Sequence, residues 1–407
     1  MDSFLVIQLA RLGDLLQSVR LVRTLTRRGE THVCVDRSLA TLAERVYPEA
    51  MIHAVHAHAS SSDLFESVLT ENWRTCAELA ASPFSAVYSL NHSGMNRALT
   101  SLFAPEQLHG HACVHGQILR SRWLDLAFRG TAFRRSAPIN LVDIWAGLVS
   151  DPVSPASVNP AATGGGRGLG VALSGRESRR SLPPEVLAPC IQALFERLGG
   201  VDVWLLGSEA ERPLARRLRR LLSGGVLERL HDLSGKTSLA DLPEALAGLD
   251  MLLSPDTGLM HLAANAGVPV QAVFLSSAWV WETGPYGLGH TVWQASAECA
   301  PCLESAPCPH GERCREAFVG GALLNALSGR KPLTGGCGLW RLQSDVDRLG
   351  LCWTAQEGDA DALCDTRLAQ RHLLAEYRGE SSFSTIPPAL TEHFYQEADW
   401  MLPDPLP

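Results

Sequence analysis

Two successive series of short β-strands and amphipathic helices constrain the fold of this chain more than any other feature. Helical patterns separate the apolar runs of each series, and a segment rich in Pro, Ser and Gly at residues 151–166 separates the two series. The predicted strands are residues 4–9, 32–35, 86–90, 169–173, 201–206, 250–253 and 268–274. Strands that alternate with helices form parallel sheets with helices on both faces. The pattern therefore predicts an α/β fold with two Rossmann-like, doubly wound domains that face a cleft.

The length of 407 residues exceeds what one ordinary hydrophobic core accommodates. We predict an N-terminal domain over residues 1–155, a second domain over 165–298, and an extension over 299–407 that is rich in cysteine and then helical and acidic. From Ala355 onwards the sequence contains ten Asp or Glu against three Arg, so this part carries most of the net charge of −8. The charge pattern does not indicate a nucleic-acid partner.

The N-terminus lacks the basic start and the cleavage site of a signal peptide, and no apolar run reaches the ~18 residues of a membrane span. We therefore expect a cytoplasmic protein whose cysteines are mostly reduced.

The segment 249–264 contains the most informative loop of the chain. An apolar strand ends in Pro255-Asp256-Thr257-Gly258, and a helical pattern with His261 follows at once. Because a helix N-terminus exposes backbone N–H groups, this arrangement predicts an anion-binding loop. Taken alone, His261 is also explained as a histidine packed in the core.

A second loop follows the first predicted strand, where Arg11, Gly13 and Asp14 open a helix. Asp14 could cap that helix or act as a general base. The loop lacks the second and third glycines of a dinucleotide-binding fingerprint, which argues against a nicotinamide enzyme.

Six segments in order along the chain together resemble glycosyltransferase family 9, the ADP-heptose:lipopolysaccharide heptosyltransferases and their relatives. Besides the two loops they include a Gly-Ser-Glu element and a Gly-Lys-Thr-Ser-Leu turn. The segments are residues 8–14, 203–209, 233–239, 256–261, 267–270 and 283–287. The resemblance covers roughly residues 4–290.

The resemblance implies a GT-B enzyme that is inverting and needs no metal ion or other cofactor for catalysis. The N-terminal domain would bind the acceptor and the second domain the nucleotide-sugar. Asp14 matches the position of the catalytic base. Asp256 would hold hydroxyl groups of the donor sugar, while the backbone amides of Thr257, Gly258 and Leu259 would bind the diphosphate.

Further donor contacts follow from the same resemblance. His261 would contact phosphate, Lys236 lies in the Gly-Lys-Thr turn, and Glu209 would hold the ribose, with Glu211 as its rival. Relatives carry a lysine and a tryptophan after the first strand of the second domain, where this chain has Arg179 and Arg180 and no tryptophan. Either arginine can bind phosphate, and the sequence leaves the choice between them open.

One basic stretch lies in the N-terminal domain and includes Arg120, Arg122, Arg129, Arg134 and Arg135. It is either a solvated helix face or, together with Arg11, a contact for an anionic acceptor or for a membrane surface.

Four cysteines lie within sixteen residues, at Cys299, Cys302, Cys308 and Cys314. Their spacing suits a small structural zinc or iron site, although it is not that of a standard zinc ribbon. Unligated thiols or a facultative disulfide are the alternatives.

The combined hypothesis is a glycosyltransferase that moves a sugar, heptose from ADP-heptose, onto a lipopolysaccharide core or another bacterial surface glycoconjugate. Its expected location is the cytoplasm, with a peripheral position at the inner membrane as a further option. The alternatives are another nucleotide-sugar, a protein acceptor, or a catalytically silent scaffold that binds nucleotide.

Overall fold

The computed structural model describes residues 2–58, 65–175 and 178–379, and these residues form two compact units. The first unit comprises residues 2–58, 65–132, 141–154 and 372–379, and the second comprises 133–140, 155–175 and 178–371. Each unit contains a mostly parallel sheet with helices, so the predicted α/β class is confirmed. The unit boundary at residues 154–155 lies in the segment predicted as a linker.

The first unit is built on a six-stranded sheet in the order β3-β2-β1-β4-β5-β6. All neighbours are parallel except β5 and β6. The strands are β1 Ser3–Gln8, β2 Glu30–Asp36, β3 Met51–Val55, β4 Ala86–Ser89, β5 Leu108–Val114 and β6 Gln117–Arg120. The helices are α1 Leu12–Gln17, α2 Val19–Thr26, α3 Ala40–Val46, α4 Phe65–Ala81, α5 Gly94–Thr100, α6 Arg122–Ala132 and α7 Leu141–Ala146. Alternate apolar residues such as Leu5 and Ile7 form the core beneath the sheet.

The second unit has an eight-stranded sheet in the order β14-β13-β12-β11-β10-β7-β8-β9. The strands are β7 Leu169–Ala172, β8 Val203–Leu206, β9 Leu230–Asp232, β10 Met251–Pro255, β11 Val270–Phe274, β12 Thr291–Ala295, β13 Leu339–Val346 and β14 Leu351–Gly358. Strands β12, β13 and β14 pair antiparallel, and the rest are parallel.

The helices of the second unit cover this sheet, and α16 runs from it into the residues counted with the first unit. They are α8 Pro184–Arg197, α9 Arg212–Leu221, α10 Gly224–Leu227, α11 Leu242–Leu246, α12 Gly258–Asn265, α13 Val280–Thr283, α14 Glu316–Val319, α15 Gly321–Leu327 and α16 Cys364–Gly379. Among the described residues, no helix has the length and apolarity needed to cross a membrane.

In each sheet the chain starts at a central strand, adds strands on one side, and then returns to add strands on the other. The turning points lie between β1 and β4 in the first unit and between β7 and β10 in the second. Loops that leave the carboxyl ends of such neighbouring strands diverge to opposite faces and leave a crevice for a ligand. Asp14 follows β1 and Asp256 follows β10, so the two predicted loops lie at these positions.

The extension after residue 298 was expected to be helical, and this was wrong in part. Strands β13 and β14 add an antiparallel pair to the edge of the second sheet. Their inward residues, among them Leu339 and Leu342, are buried, because the edge of β12 offers both backbone partners and an apolar surface. Most of the acidic part, residues 380–407, lies outside the described residues.

Candidate functional site

Asp256 occupies the turning point of the second sheet, immediately after β10. Its side chain is 5% exposed. Oδ2 accepts hydrogen bonds from the Arg180 guanidinium and from Thr283 Oγ1, the latter at 2.9 Å. Oδ1 lies 3.9 Å from His261 Nε2. A buried carboxylate is stable only when it is paired in this way, so the three partners fix its orientation.

The structure separates the two candidate arginines, which lie in one short helical turn at Ser178–Arg180. Arg180 contacts the carboxylate of Asp256 and lies 3.5 Å from Glu304 Oε1. Arg179 instead donates to backbone carbonyls of the cysteine-rich segment, at 2.6 Å to both Leu303 O and Ala306 O. Of the two, Arg180 is therefore the arginine that the structure brings to the Asp256 loop.

A second ion pair lies beside Asp256 and was missed by the sequence analysis. Arg134 Nε donates to both carboxylate oxygens of Glu282, at 3.0 and 3.1 Å. Burial raises the pKa of Glu282 and the nearby Asp256 raises it further, while Arg134 opposes the rise. Burial alone would lower the pKa of Arg134, but its bonds with Glu282 reverse the direction. Two carboxylates and two guanidinium groups therefore neighbour one another here.

The loop after Asp256 has the helix start that the sequence predicts. Thr257 is the N-cap of α12 with extended backbone, and Gly258 begins the helix. The N–H groups of Gly258 and Leu259 belong to the first turn, where a helix has no internal acceptor for them. His261 is buried in the next turn. The structure thus brings Asp256, Thr257, Gly258, Leu259 and His261 together at the helix start.

Glu209 and Glu211, the rivals for the ribose contact, have different environments. Glu211 accepts the Ser208 amide at 2.6 Å and so caps its own helical turn. The Glu209 side chain is 80% exposed and pairs with Arg212 at 2.9 Å. Gly235 packs against Glu209: a Cβ there would lie 2.8 Å from Glu209 Cα, and its φ of +63° also favours glycine.

Lys236, next to Gly235, is exposed, and its ammonium donates to Asp232 O at 2.6 Å. The Gly-Ser-Glu element and the Gly-Lys-Thr turn are therefore adjacent. The ribose contact of Glu209 and the donor contact of Lys236 stay predictions.

Asp14 lies in the first turn of α1 and is half-buried. Its Oδ2 accepts the backbone N–H of Arg11 at 3.1 Å, which is a helix-capping bond. The preceding turn is held from the neighbouring strand, because the Leu9 amide donates to Asn91 Oδ1 at 2.9 Å. Arg11 is exposed. Asp14 thus caps its helix, and its role as a base is not tested by this geometry.

The basic stretch does not form one surface. Arg122 is exposed on α6, and Arg120 is stacked over Phe128 at 5.8 Å and lies 4.0 Å from Asp125. Arg134 and Arg135 belong to the second unit, where they bind carbonyls of residues 277 and 296–302. Arg120 and Arg122 remain the candidates for an acceptor contact.

Two of the four clustered cysteines, Cys302 and Cys314, have their sulfurs hydrogen-bonded by Ser276. Burial raises the pKa of both thiols, and the other thiols of the cluster raise it further. Glu312 N–H points to Cys308 Sγ at 3.3 Å. None of the eleven cysteines is in a disulfide. Within the described ranges, no three or more His, Cys, Asp or Glu side chains are arranged as a metal-binding group.

One signal could have pointed to Glu282, but none connects it with Arg134. Glu282 is a lone acid within an apolar run that includes Trp279, Val280 and Trp281, so burial beside a basic partner was to be expected. Its partner Arg134 is 148 positions away, and no local pattern connects the two.

Comparison with known proteins identifies a family for the centre of the second unit. A model of "Glycosyltransferase family 9 (heptosyltransferase)" matches residues 190–310. Lipopolysaccharide heptosyltransferase 1 of Pseudomonas aeruginosa is 39% identical over 99 residues, which are 24% of this chain and 26% of that protein. The alignment thus spans about a quarter of this curated relative. The resemblance that the sequence motifs predict is confirmed.

Solved structures extend the similarity to the fold of both units. The glycosyl transferase family 9 structure from Veillonella parvula shares 16% identity, with 73% of this chain and 88% of that one covered and a TM-score of 0.56. The E. coli ADP-heptose lps heptosyltransferase II shares 17% identity, with 72% and 90% covered and a TM-score of 0.53. At these identities the likeness concerns the fold, and it confirms the predicted GT-B class.

Proposed function

We propose that this chain is an inverting glycosyltransferase that moves heptose from ADP-heptose onto a lipopolysaccharide core or another bacterial surface glycoconjugate. One observation carries the proposal: a buried carboxylate, an arginine and a helix N-terminus meet at the turning point of the second sheet. Asp256 and the start of α12 lie within the segment matched by the family model. This combination suits a ligand with a sugar at one end and a diphosphate beside it.

The diphosphate would bind where positive potential is already present. The first turn of α12 offers backbone N–H groups, and Arg180 offers a guanidinium that forms paired hydrogen bonds with phosphate oxygens. His261 adds a ring nitrogen to the same loop. Stabilising the leaving diphosphate with these groups requires no divalent ion, which supports a metal-independent reaction.

The donor sugar would bind next to Asp256. Arg180 and Thr283 use Oδ2, so Oδ1 is the oxygen we assign to a sugar hydroxyl. Glu209, exposed beside the Gly-Lys-Thr turn, is assigned to the ribose hydroxyls, and Lys236 to the phosphate side of the nucleotide.

Asp14 is the proposed base that takes the proton from the acceptor hydroxyl as it attacks the anomeric carbon. Attack from the face opposite the leaving diphosphate inverts that carbon. Arg11, Arg120 and Arg122 would contact an anionic acceptor. A lipid-linked acceptor would place the enzyme in the cytoplasm, peripheral to the inner membrane.

The nucleotide is tested by the thermal stabilisation of the purified chain with ADP, UDP, GDP and dTDP. We expect ADP to raise the melting temperature most, because a ligand that binds the folded state stabilises it. If UDP or GDP raises the melting temperature more than ADP does, the donor is a UDP-sugar or a GDP-sugar instead of ADP-heptose. Binding of ADP without transfer to any glycan or protein acceptor would favour a silent scaffold.

The acceptor contact is tested with Arg120→Ser and Arg122→Ser, with Arg74→Ser on the exposed face of α4 as the matched control. Transfer to an anionic acceptor should fall in the double variant while ADP affinity stays unchanged. Equal loss of transfer and of nucleotide binding would refute the acceptor assignment.

We also propose that Cys299, Cys302, Cys308 and Cys314 hold a structural zinc or iron ion. Four thiols are a donor set that zinc and iron take, and the Glu312 N–H directed at Cys308 Sγ is typical of such sites. Binding would require the four side chains to turn towards a common centre, which they do not share in this structure. The ion would stabilise a segment without regular secondary structure between β12 and α14. It takes no part in the proposed transfer.

Metal analysis of the purified chain tests this second proposal. We expect about one zinc or iron per chain, lost together with thermal stability when Cys299 and Cys302 are both replaced by Ser. Cys76→Ser, in the first unit, is the control and should leave the metal content unchanged. A metal-free chain of full stability would refute the proposal.

A further inference from the structure

The segment of residues 299–316, here called the cysteine segment, is fastened to the Ser178–Arg180 turn by arginine side chains. Arg179 donates to three of its backbone carbonyls, Leu303 O, Glu304 O and Ala306 O. In the opposite direction, Arg315 Nη2 donates to Ser178 O at 2.7 Å. These contacts hold the turn at Ser178 and at Arg179.

The convergence of three carbonyl oxygens on the Arg179 guanidinium has an energetic explanation. Residues 303–306 form no strand or helix, so their carbonyl oxygens need hydrogen-bond donors from elsewhere. A guanidinium supplies several N–H donors in a rigid plane, whereas an ammonium is a point charge that cannot reproduce those directions. The position of the Arg179 side chain is thus set by the cysteine segment.

Arg180 follows Arg179 directly, so the same contacts determine where its guanidinium lies. It reaches Asp256 on one side and Glu304, again in the cysteine segment, on the other. Arg180 Nε is buried and has no hydrogen-bond partner among the residues that the structure describes. The cysteine segment fixes the turn through its contacts with Ser178 and Arg179. The position of the Arg180 guanidinium beside the α12 loop therefore depends on those contacts.

We propose that Arg179 is a positioning residue: anchored in the cysteine segment, it holds Arg180 in place for the diphosphate of the donor. The inference rests on the proposed function, since it concerns the same donor site. It assigns the two adjacent arginines different tasks, one on the ligand and one on the protein. It also makes the cysteine segment a determinant of donor affinity rather than a remote appendage.

The test is a double-mutant cycle on ADP binding, measured by isothermal titration calorimetry with the full chain. Arg179→Lys and Arg180→Lys should each weaken ADP binding by about tenfold, the size of one lost charged hydrogen bond. If Arg179 acts through Arg180, the double variant binds ADP no more weakly than Arg180→Lys alone. Weakening that multiplies in the double variant would mean independent contacts and would overturn the proposal.

Steady-state kinetics separate positioning from general loss of structure. Arg179→Lys should raise KM for the nucleotide-sugar about tenfold, and any fall in kcat should match that of Arg180→Lys, because both variants displace the same guanidinium from the diphosphate. Arg315→Lys, which removes the contact with Ser178, should act in the same direction. Arg197→Lys is the matched control, since Arg197 also donates to a carbonyl, Leu327 O, away from the turn. Equal effects of Arg179→Lys and Arg197→Lys on KM would contradict the proposal.

Titration of the wild-type chain distinguishes failure of the proposed function from failure of the positioning role of Arg179. If the unmodified chain binds neither ADP nor another nucleoside diphosphate, both the proposed function and the positioning role of Arg179 are wrong. If it binds ADP and the cycle is additive, only the positioning role fails.

Discussion

The turning points of the two sheets each carry an aspartate, but the two carboxylates are held differently. Asp14, after β1, is half-buried and accepts one capping bond from the Arg11 amide. Asp256, after β10, is buried and bound by a guanidinium and a hydroxyl. The same topological position therefore supports two electrostatic environments.

The difference shows which chemistry each carboxylate suits. A base must present a carboxylate oxygen to the acceptor hydroxyl, and Asp256 already uses Oδ2 for Arg180 and Thr283. A residue that only orients a ligand benefits from being fixed. The environments favour Asp14 as the proton acceptor and Asp256 as the group that positions the sugar.

Replacement of the first carboxylate should have the largest effect. In Asp14→Asn we expect kcat for sugar transfer to fall by about 10²–10⁴, the usual contribution of a general base. Asparagine is also a good helix cap, so the melting temperature should stay nearly unchanged. A transfer assay with ADP-heptose measures the first quantity and calorimetry the second. Transfer at the wild-type rate would remove Asp14 from the mechanism.

Replacement of the second carboxylate should affect both stability and donor binding. Asp256→Asn breaks a buried ion pair and leaves Arg180 only the longer contact with Glu304, which costs about 3 kcal/mol of unfolding free energy. The KM for the nucleotide-sugar should rise at least about tenfold, the loss expected for one charged hydrogen bond. Asp250→Asn is the control, since Asp250 bonds Gly166 and Gly168 at the other end of β10. Equal KM values for the nucleotide-sugar in Asp256→Asn and Asp250→Asn would argue against a contact between Asp256 and the sugar.

Acid should disrupt the first unit before the second. Burial lowers the pKa of His111 to about 4, with Arg120 and His92 contributing, and burial also lowers the pKa of His32, His53 and His109. Below pH 6.5 these histidines take up protons in the unfolded state but not in the folded one. Stability is therefore complete above that pH and is lost progressively as the pH falls towards 4.

In the second unit, burial lowers the pKa of His290, also to about 4. Hydrogen exchange at pH 5 measures the difference. Amides of β2 and β5, which carry the four histidines or neighbour them, should lose protection before those of β10 and β11. Simultaneous loss in both sheets would refute this unequal sensitivity.

The smallest expected effects separate Glu209 from Glu211. Glu209→Gln removes an exposed ion pair that contributes at most about 1 kcal/mol to stability, so only the KM for the nucleotide-sugar should rise, by about fivefold. Glu211→Gln weakens a capping bond and should lower the melting temperature with little change in KM. The reverse outcome would move the ribose contact to Glu211.

The sequence predicts the parts of this molecule that depend on local pattern. The alternation of strands and helices yields both sheets, and the Pro-Asp-Thr-Gly turn before an apolar helix yields the loop at Asp256. Side-chain direction within the Ser178–Arg180 turn is not encoded locally, so the choice between Arg179 and Arg180 had to wait for the structure.

Other errors have a physical origin of the same kind. The helical pattern that opens at Asp14 divides into α1 and α2 at Ser18, whose hydroxyl donates to Leu15 O at 2.7 Å and competes with the helical ladder. Strands β13 and β14 were missed because β13 pairs with β12, at least 44 positions earlier (Leu339 with Ala295), and β14 pairs in turn with β13. The Arg134–Glu282 pair likewise depends on tertiary structure alone.

The most direct test of the unequal roles of the two aspartates is calorimetric binding of ADP-heptose and of ADP to three proteins: wild type, Asp14→Asn and Asp256→Asn. The account predicts that Asp14→Asn keeps the wild-type preference for ADP-heptose over ADP. Asp256→Asn should lose that preference, because the sugar contact is gone. If both variants keep the preference, or if Asp14→Asn alone loses it, the assignment of the two carboxylates is contradicted.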